Sequence, residues 1–376
     1  MKVLAVLTGE MCFDGITNSI LNYYRAMDRS GMEIGIISAR GTNPTMKKNF
    51  EEIGCIVYPL ENRDSSPVQY FVQLIRIIRR EKYDILHAHG NSATLAIETT
   101  AAFLAGCKVR IVHSRNSFCE HTKVDKLLRP LMYATYTDGF ACGEKAGKWL
   151  FGNRPFTVIN NGKDIDRFLF KPDIRQQYRE KLGASSDAIL LGHVGLFHKQ
   201  KNHPFLIDVF EEVCMQSNNY RLVLIGEGED REKIENLVRK KGLSNKVSFL
   251  GSRSDVDALI QALDIMVFPS LFEGMPNVVL EWQIAGLSAL ISDTITKECC
   301  ITDSVSFLPL EKGPRYWAEQ ILNTQLEDRK STRESIQKRF SEAGFDIREN
   351  AKMLRNKYNE LLERTQYEVW RTYKGI

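Results

Sequence analysis

The segment Phe268-Pro-Ser-Leu-Phe-Glu-Gly-Met-Pro-Asn-Val-Val-Leu-Glu281 decides how the rest of this chain is read. An apolar run, Ile265–Phe268, ends at its first residue and reads as a buried strand. A loop carrying Gly274 follows, and a helix is expected from near Pro276, where proline suits the first turn. Strand, loop and helix in that order make one βα unit. The amides of Gly274, Met275, Asn277 and Val278 at the helix start are then placed to face an anion, aided by the helix dipole. Glu273 lies in the loop and Glu281 in the second turn of the helix, with seven residues between them. One carboxylate can meet a sugar while the other accepts from the vicinal hydroxyls of a ribose. The same pair also reads as a loop glutamate beside an exposed helix glutamate.

Outward from this unit the same alternation repeats. Strands are expected at Val3–Leu7, Ile34–Ile37, Ile56–Tyr58, Ile85–His87, Val109–Val112, Gly139–Ala141 and Thr157–Ile159, with helices at Thr17–Met27, Val68–Arg80 and Leu127–Tyr136. The pattern restarts with Leu190–Val194, the helix His203–Cys214, and strands at Leu222–Ile225, Val247–Leu250 and Ala289–Ile291. Strands separated by helical patterns predict parallel α/β sheets. The fold class is α/β: two Rossmann-like, doubly wound domains facing across a cleft, with ligands at the carboxyl ends of their strands. The expected division is 1–165, 166–345 and a terminal helix over 346–376 that returns to the first domain. Ser331 to about Tyr367 reads as nearly continuous helix, with Met353, Leu354, Tyr358, Leu361 and Leu362 at helical spacing.

Composition narrows the classes. The chain has 376 residues, 43% of them hydrophobic and 26% charged, which excludes a disordered or collagen-like chain. The net charge of +4 is too mild to argue for nucleic acid. It is unevenly placed: residues 1–170 carry 22 Lys and Arg against 17 Asp and Glu, and the remainder 29 against 30. A basic first half suits either chance or a partner bearing phosphates or anionic lipid. Eight scattered cysteines without a C-x-x-C pair give no zinc or disulfide framework and point to a reducing, cytoplasmic compartment. No run approaches the length of a membrane-spanning helix. His87 and His89 share one strand face but lack a nearby acid cluster. Asp164-Ile-Asp166 reads as a surface pair, so no metal site is expected.

Further motifs stand in order along the chain: Asn160-Asn-Gly162, Gly195-Leu-Phe-His-Lys-Gln-Lys201, Ile225-Gly-Glu-Gly228, Phe249-Leu-Gly-Ser-Arg253 and Glu342-Ala-Gly-Phe-Asp346. Together with the Glu-x7-Glu segment they resemble glycosyltransferase family 4, the retaining nucleotide-sugar transferases of the GT-B fold, over nearly the whole chain. The resemblance implies a metal-independent hexosyltransferase with no cofactor beyond its nucleotide-sugar donor, expected to be UDP-linked. It implies that Lys201 neutralises the departing diphosphate, Glu281 binds the ribose and Glu273 contacts the transferred sugar. Gly195, Gly226, Gly251 and Arg253 complete the donor side with Gly274 to Val278. Retention is implied by front-face attack or a short-lived ion pair. The family carries Arg where this chain has Leu196, and a leucine cannot hold a phosphate by charge.

In the first domain, Gly15 closes the loop after the first strand and would let the backbone approach the diphosphate. The resemblance places an active-site histidine at His113, with the acceptor side at His89, Arg115 and Asn116. The acceptor it implies is a saccharide, lipid-linked, in surface polysaccharide synthesis. The helix Val68–Arg80 has Val68, Phe71, Val72, Ile75 and Ile78 on one face and Arg76, Arg79, Arg80 and Lys82 after them. It reads as a solvated basic face or as an anionic-membrane patch joined by Lys123, Lys126 and Arg129, which would make the protein peripheral at the inner membrane face. Two other readings stay open: a nucleotide-sugar-binding protein with little or no transfer, motivated by Leu196, and a UDP-sugar epimerase needing no acceptor.

Overall fold

The computed structural model describes residues 1–119 and 121–374. The chain forms two compact units, Met1–Gly162 with the segment from Ile347 onward, and Lys163–Asp346.

The first unit is built on seven strands: β1 (Lys2–Leu7), β2 (Glu33–Ser38), β3 (Ile56–Pro59), β4 (Ile85–Gly90), β5 (Val109–Ser114), β6 (Asp138–Ala141) and β7 (Thr157–Val158). All pair in parallel, in the order β3-β2-β1-β4-β5-β6-β7. Both faces are covered, so the strands are apolar on alternate residues in both directions. Val3, Ala5 and Leu7 pack toward Ile20, Tyr23 and Tyr24 of the helix Gly15–Ala26 and toward Leu354, Tyr358 and Leu361 of the terminal helix. Leu4 and Val6 pack on the opposite face with Tyr70, Leu74 and Ile78.

The second unit holds six strands: β8 (Ile189–Val194), β9 (Tyr220–Ile225), β10 (Val247–Phe249), β11 (Ile265–Phe268), β12 (Ser288–Ser292) and β13 (Val305–Leu308). They too are parallel, in the order β10-β9-β8-β11-β12-β13. The strand order reverses beside β1 and β4 in one sheet and beside β8 and β11 in the other. Such switch points open a crevice at the carboxyl edge.

Local chemistry explains the helix limits. Asp14 caps the helix Gly15–Ala26, its side chain accepting from the Thr17 amide at 2.7 Å. Pro44, Pro67, Pro172, Pro204 and Pro314 each occupy a first turn. Pro276 instead stands just before its helix, Asn277–Ile284, with extended backbone at φ −74° and ψ 103°.

Three readings need refining. The nearly continuous terminal helix is two helices, Arg333–Glu342 and Ile347–Lys374, interrupted at Gly344 where φ is +75°. The apolar residues placed on one face of the helix Pro67–Glu81 do not share one environment: Val68 is 77% exposed and Val72 is exposed too, whereas Ile78 is buried with Tyr70 and Leu74. The Tyr70 hydroxyl donates to buried Glu98 at 3.0 Å, beside the Arg63–Glu98 ion pair. The strand β13 and the helix Gly313–Leu322 escaped notice, since Val305–Leu308 is only four residues long.

Candidate active site

The carboxyl ends of four adjacent strands in the second unit are stitched together by backbone. The Gly195 amide after β8 donates to Ile225 O, and the Gly226 amide after β9 donates to Gly251 O after β10, at 3.0 and 2.9 Å. The Phe197 amide donates to Glu227 O at 2.8 Å. Side chains are excluded here by space: a Cβ on Gly226, where φ is +145°, would lie 2.0 Å from Gly195 O. Gly195, Gly226 and Gly251 thus adjoin through their backbones, with the Lys201 side chain against Gly195 and the Glu227 carboxylate against Gly251.

The loop after β11 closes over the same place. The Leu271 amide donates to Gln200 O, and Gln200 Nε2 donates to Phe272 O, both at 2.8 Å. These bonds bring Lys201 Nζ to 2.6 Å from Glu273 Oε1, with the ammonium 4.6 Å from the Phe268 ring centroid. Gly274, Met275, Asn277 and Val278 follow directly, entering a helix whose first amides have no intrahelical acceptor. That helix is held from below by Gln283, fully buried. Its Nε2 donates to Val279 O and Cys299 O, and its Oε1 accepts from the amides of Ile301 and Thr302.

Glu281 is not the solvated helix residue that the alternative reading allowed. Its Oε1 lies 2.7 Å from Lys163 Nζ. Sequence reasoning passed over Lys163, though it directly follows the quoted Asn-Gly. Nothing local announces a partner 118 positions away. Arg253 is engaged by Asp255: it makes two 2.8 Å contacts with that carboxylate, which the Tyr178 hydroxyl also meets at 2.8 Å. Leu196, at the position of the family's arginine, is 42% exposed. His193 Nδ1 meets Val267 O at 2.9 Å, and burial pushes this imidazole down to about 4.

The first-unit candidates gather at the carboxyl ends of β4 and β5, where His89 and His113 are direct neighbours in register. His113 is buried rather than open, its Nδ1 lying 2.9 Å from His87 Nε2, while His87 Nδ1 lies 2.7 Å from the Tyr358 hydroxyl. Arg115 Nε lies 3.2 Å from His89 Nδ1, and its Nη1 donates to Asn161 Oδ1 at 3.1 Å. Burial drives His87, His89 and His113 well below the ordinary imidazole value, and the Arg115 charge adds to this in each. These three imidazoles are the cluster of metal-ligand composition among the described residues. The guanidinium in hydrogen-bond contact with His89 opposes a second positive charge there. Gly15 opens its helix behind the Asp14 cap, and Asn116 lies two residues beyond the end of β5. Asp164 and Asp166 are both exposed, Asp164 accepting from the Arg167 amide at the start of a one-turn helix.

Comparison with known proteins agrees with this architecture. Residues 13–167 match the family model described as Glycosyltransferase Family 4, and residues 174–339 match that described as Glycosyl transferases group 1. The chain is 31% identical over 372 residues to EpsF of Bacillus subtilis (strain 168), named as a glycosyltransferase, covering 95% of this chain and 96% of that one. It is 28% identical over 249 residues to the UDP-Gal:alpha-D-GlcNAc-diphosphoundecaprenol alpha-1,3-galactosyltransferase of Escherichia coli, covering 61% and 63%. Among solved structures, Anabaena Alr3699/HepE in complex with UDP-glucose superposes with a TM-score of 0.79 at 19% identity, over 96% of this chain and 100% of that one. Two parallel-sheet units, motifs in family order and a full-length relative above 30% identity lead to one assignment: the chain belongs to glycosyltransferase family 4 and is a glycosyltransferase of the GT-B fold.

Proposed function

We propose that this chain transfers a sugar from a UDP-linked donor to a hydroxyl of a saccharide acceptor, with retention at the anomeric carbon, in the assembly of a surface or exported polysaccharide. The observation that carries this reading is the adjoining backbone of Gly195, Gly226 and Gly251 beside the Lys201–Glu273 ion pair. Glycine backbone admits a diphosphate closely, and the Lys201 ammonium next to it offsets the charge that builds as the diphosphate leaves. Glu281 would accept from the ribose diol, Glu273 would contact the transferred sugar, and the amides of Gly274 to Val278 would meet phosphate and sugar oxygens. Arg253, held by Asp255, would serve the nucleobase side through Gly251 and its neighbours. The acceptor is assigned to the first unit, with His89, His113, Arg115 and Asn116 at the strand ends.

Support for a UDP-sugar comes from the HepE complex with UDP-glucose and from the UDP-Gal named for the E. coli relative. The latter's diphosphoundecaprenol acceptor supports a lipid-linked saccharide. The charge work assigned to Lys201 and the helix amides leaves no task for a metal. Calorimetric titration of UDP in EDTA, with GDP and ADP beside it, tests the donor half. Selective UDP binding supports it, and a UDP-sugar panel with a lipid-linked acceptor follows. Binding of no nucleotide overturns it. A second reading, donor binding with weak or no transfer, is favoured by Leu196 alone and is excluded by any turnover to UDP plus glycoside.

A lipid-linked acceptor suits a protein that docks at an anionic membrane. Exposed Val68 and Val72, followed by Arg76, Arg79 and Arg80, supply apolar and basic groups on one helix. Val124, Leu127 and Leu131 do the same on the helix Thr122–Thr135, with Lys123 and Lys126 exposed beside them. Arg129 is engaged by Asp125 and does not join them. Among the described residues no helix is long and apolar enough to cross a membrane. Sedimentation with vesicles containing anionic lipid at low salt, and release at high salt, tests the docking.

A further inference from the structure

Lys163 is among the most deeply buried charged residues of the second unit, at 3% exposure, and its ammonium is spent on one group. Burying an ammonium is costly unless a carboxylate meets it at close range. The carboxylate here is Glu281, 2.7 Å away, and among the described residues no other acid pairs with Lys163. Arg167, the next cation along the chain, is committed to Asp257 at 2.7 Å and does not duplicate the role. The backbone of Lys163 is equally fixed: its amide donates to Phe345 O at 2.7 Å, and it bridges in parallel to Asp346. The stem that carries the ammonium is therefore anchored where the chain enters the second unit, beside the place where it leaves. On the Glu281 side only Oε1 is engaged by Lys163. The second oxygen has no hydrogen-bond donor among the described residues and keeps its capacity to accept from a diol.

We propose that Lys163 is a positioning residue for the donor ribose: it holds the Glu281 carboxylate in the one placement from which the other oxygen can take the ribose hydroxyls. This rests on the assignment of Glu281 to the ribose. A lysine whose role was only to stabilise the fold would affect every ligand alike, whereas a lysine that sets Glu281 affects only ligands carrying the hydroxyls that Glu281 reads.

The experiment is calorimetric titration of UDP and of 2′,3′-dideoxy-UDP into the wild type and Lys163→Met, with thermal melts confirming that both are folded. The wild type is expected to prefer UDP by about tenfold or more, the effect of losing a charge-assisted hydrogen bond. Lys163→Met is expected to lose most of that preference while binding dideoxy-UDP within about twofold of wild type. A variant that weakens both ligands equally and keeps the preference overturns the proposal. If the wild type itself shows no preference, the ribose assignment of Glu281 fails, and this inference falls with it. Should Lys163→Met not fold, Lys163→Leu, which likewise has no donor for Glu281, takes its place, and an unchanged preference in that variant overturns the proposal as well.

Discussion

The Lys201 ammonium lies 2.6 Å from Glu273 Oε1, so the cation assigned to the diphosphate and the carboxylate assigned to the sugar are each other's counter-ion in the free protein. On the proposed function, a diphosphate bound beside Gly195 would draw Lys201 from Glu273 and free the carboxylate for the sugar. Lys201→Met is expected to lower kcat/KM by about 10²–10³, as for loss of a group that acts on developing charge. Glu273→Ala should chiefly lower kcat and leave UDP affinity near wild type, whereas Glu281→Ala should weaken UDP binding. Steady-state kinetics paired with calorimetry separates the two carboxylates, and equal loss of UDP affinity in both variants refutes the division.

Leu196 is an exposed apolar side chain, and the proposed function puts it beside the diphosphate. Leu196→Arg is expected to tighten UDP by roughly tenfold, the scale of one charge-assisted contact of about 1.5 kcal/mol. The gain should be smaller for UMP, which lacks the second phosphate. Equal gains for UDP, UMP and uridine would place residue 196 away from the diphosphate.

Five histidines set the acid limit of stability. Burial pushes His87, His89 and His113 well below the usual 6.5, His193 to about 4 and His203 to about 2. In the unfolded chain these imidazoles protonate near 6.5, while in the native state they stay neutral to lower pH. Above 6.5 neither state takes up protons and stability is unaffected by them. As pH falls from 6.5 toward 4, the unfolded state alone gains protons, and native stability declines. Differential scanning calorimetry should give a flat Tm from pH 7 to 8 and a steady fall between about pH 6.5 and 4.5.

Gln283 is expected to be a stability residue with a functional shadow. Gln283→Leu leaves the amides of Ile301 and Thr302 and the carbonyl of Cys299 without their side-chain partner. At about 1–3 kcal/mol for each buried unsatisfied group, a loss of at least about 3 kcal/mol is expected in urea unfolding. Because the residue lies on the helix that carries Glu281, UDP affinity should fall as well. A melt and affinity within error of wild type would contradict both expectations.

The sheets were legible because parallel strands buried on both faces are written as unbroken apolar runs, and Val3–Leu7 or Ile265–Phe268 need no partner to be recognised. Gly195, Gly226 and Gly251 were reached through the family resemblance rather than through spacing alone, and the structure shows their backbones adjoining. The pairing of Lys163 with Glu281 was not legible, because a lysine beside an Asn-Gly says nothing of a helix over a hundred residues ahead. The buried contacts of Tyr70 and Arg63 with Glu98 were not legible for a related reason: periodicity groups apolar residues on a face but does not see a carboxylate on another helix. Within Ser331–Tyr367, read as nearly continuous helix, the break was not located, because one glycine with positive φ ends a helix without altering the composition around it.

The double crossing at Gly162–Lys163 and Asp346–Ile347 has a consequence for how the chain is made. The core of the first unit includes Ile347, Ala351, Leu354, Tyr358 and Leu361, all contributed after the whole second unit. During synthesis the second unit has its full complement of residues first, although it begins later. The first sheet waits with one face only partly covered, by Ile20, Tyr23 and Tyr24 among others, until the closing helix leaves the ribosome, and His87 waits with it for the Tyr358 hydroxyl. A ribosome stalled before Ile347 therefore holds every residue of the second unit attached to a first unit that lacks its closing helix.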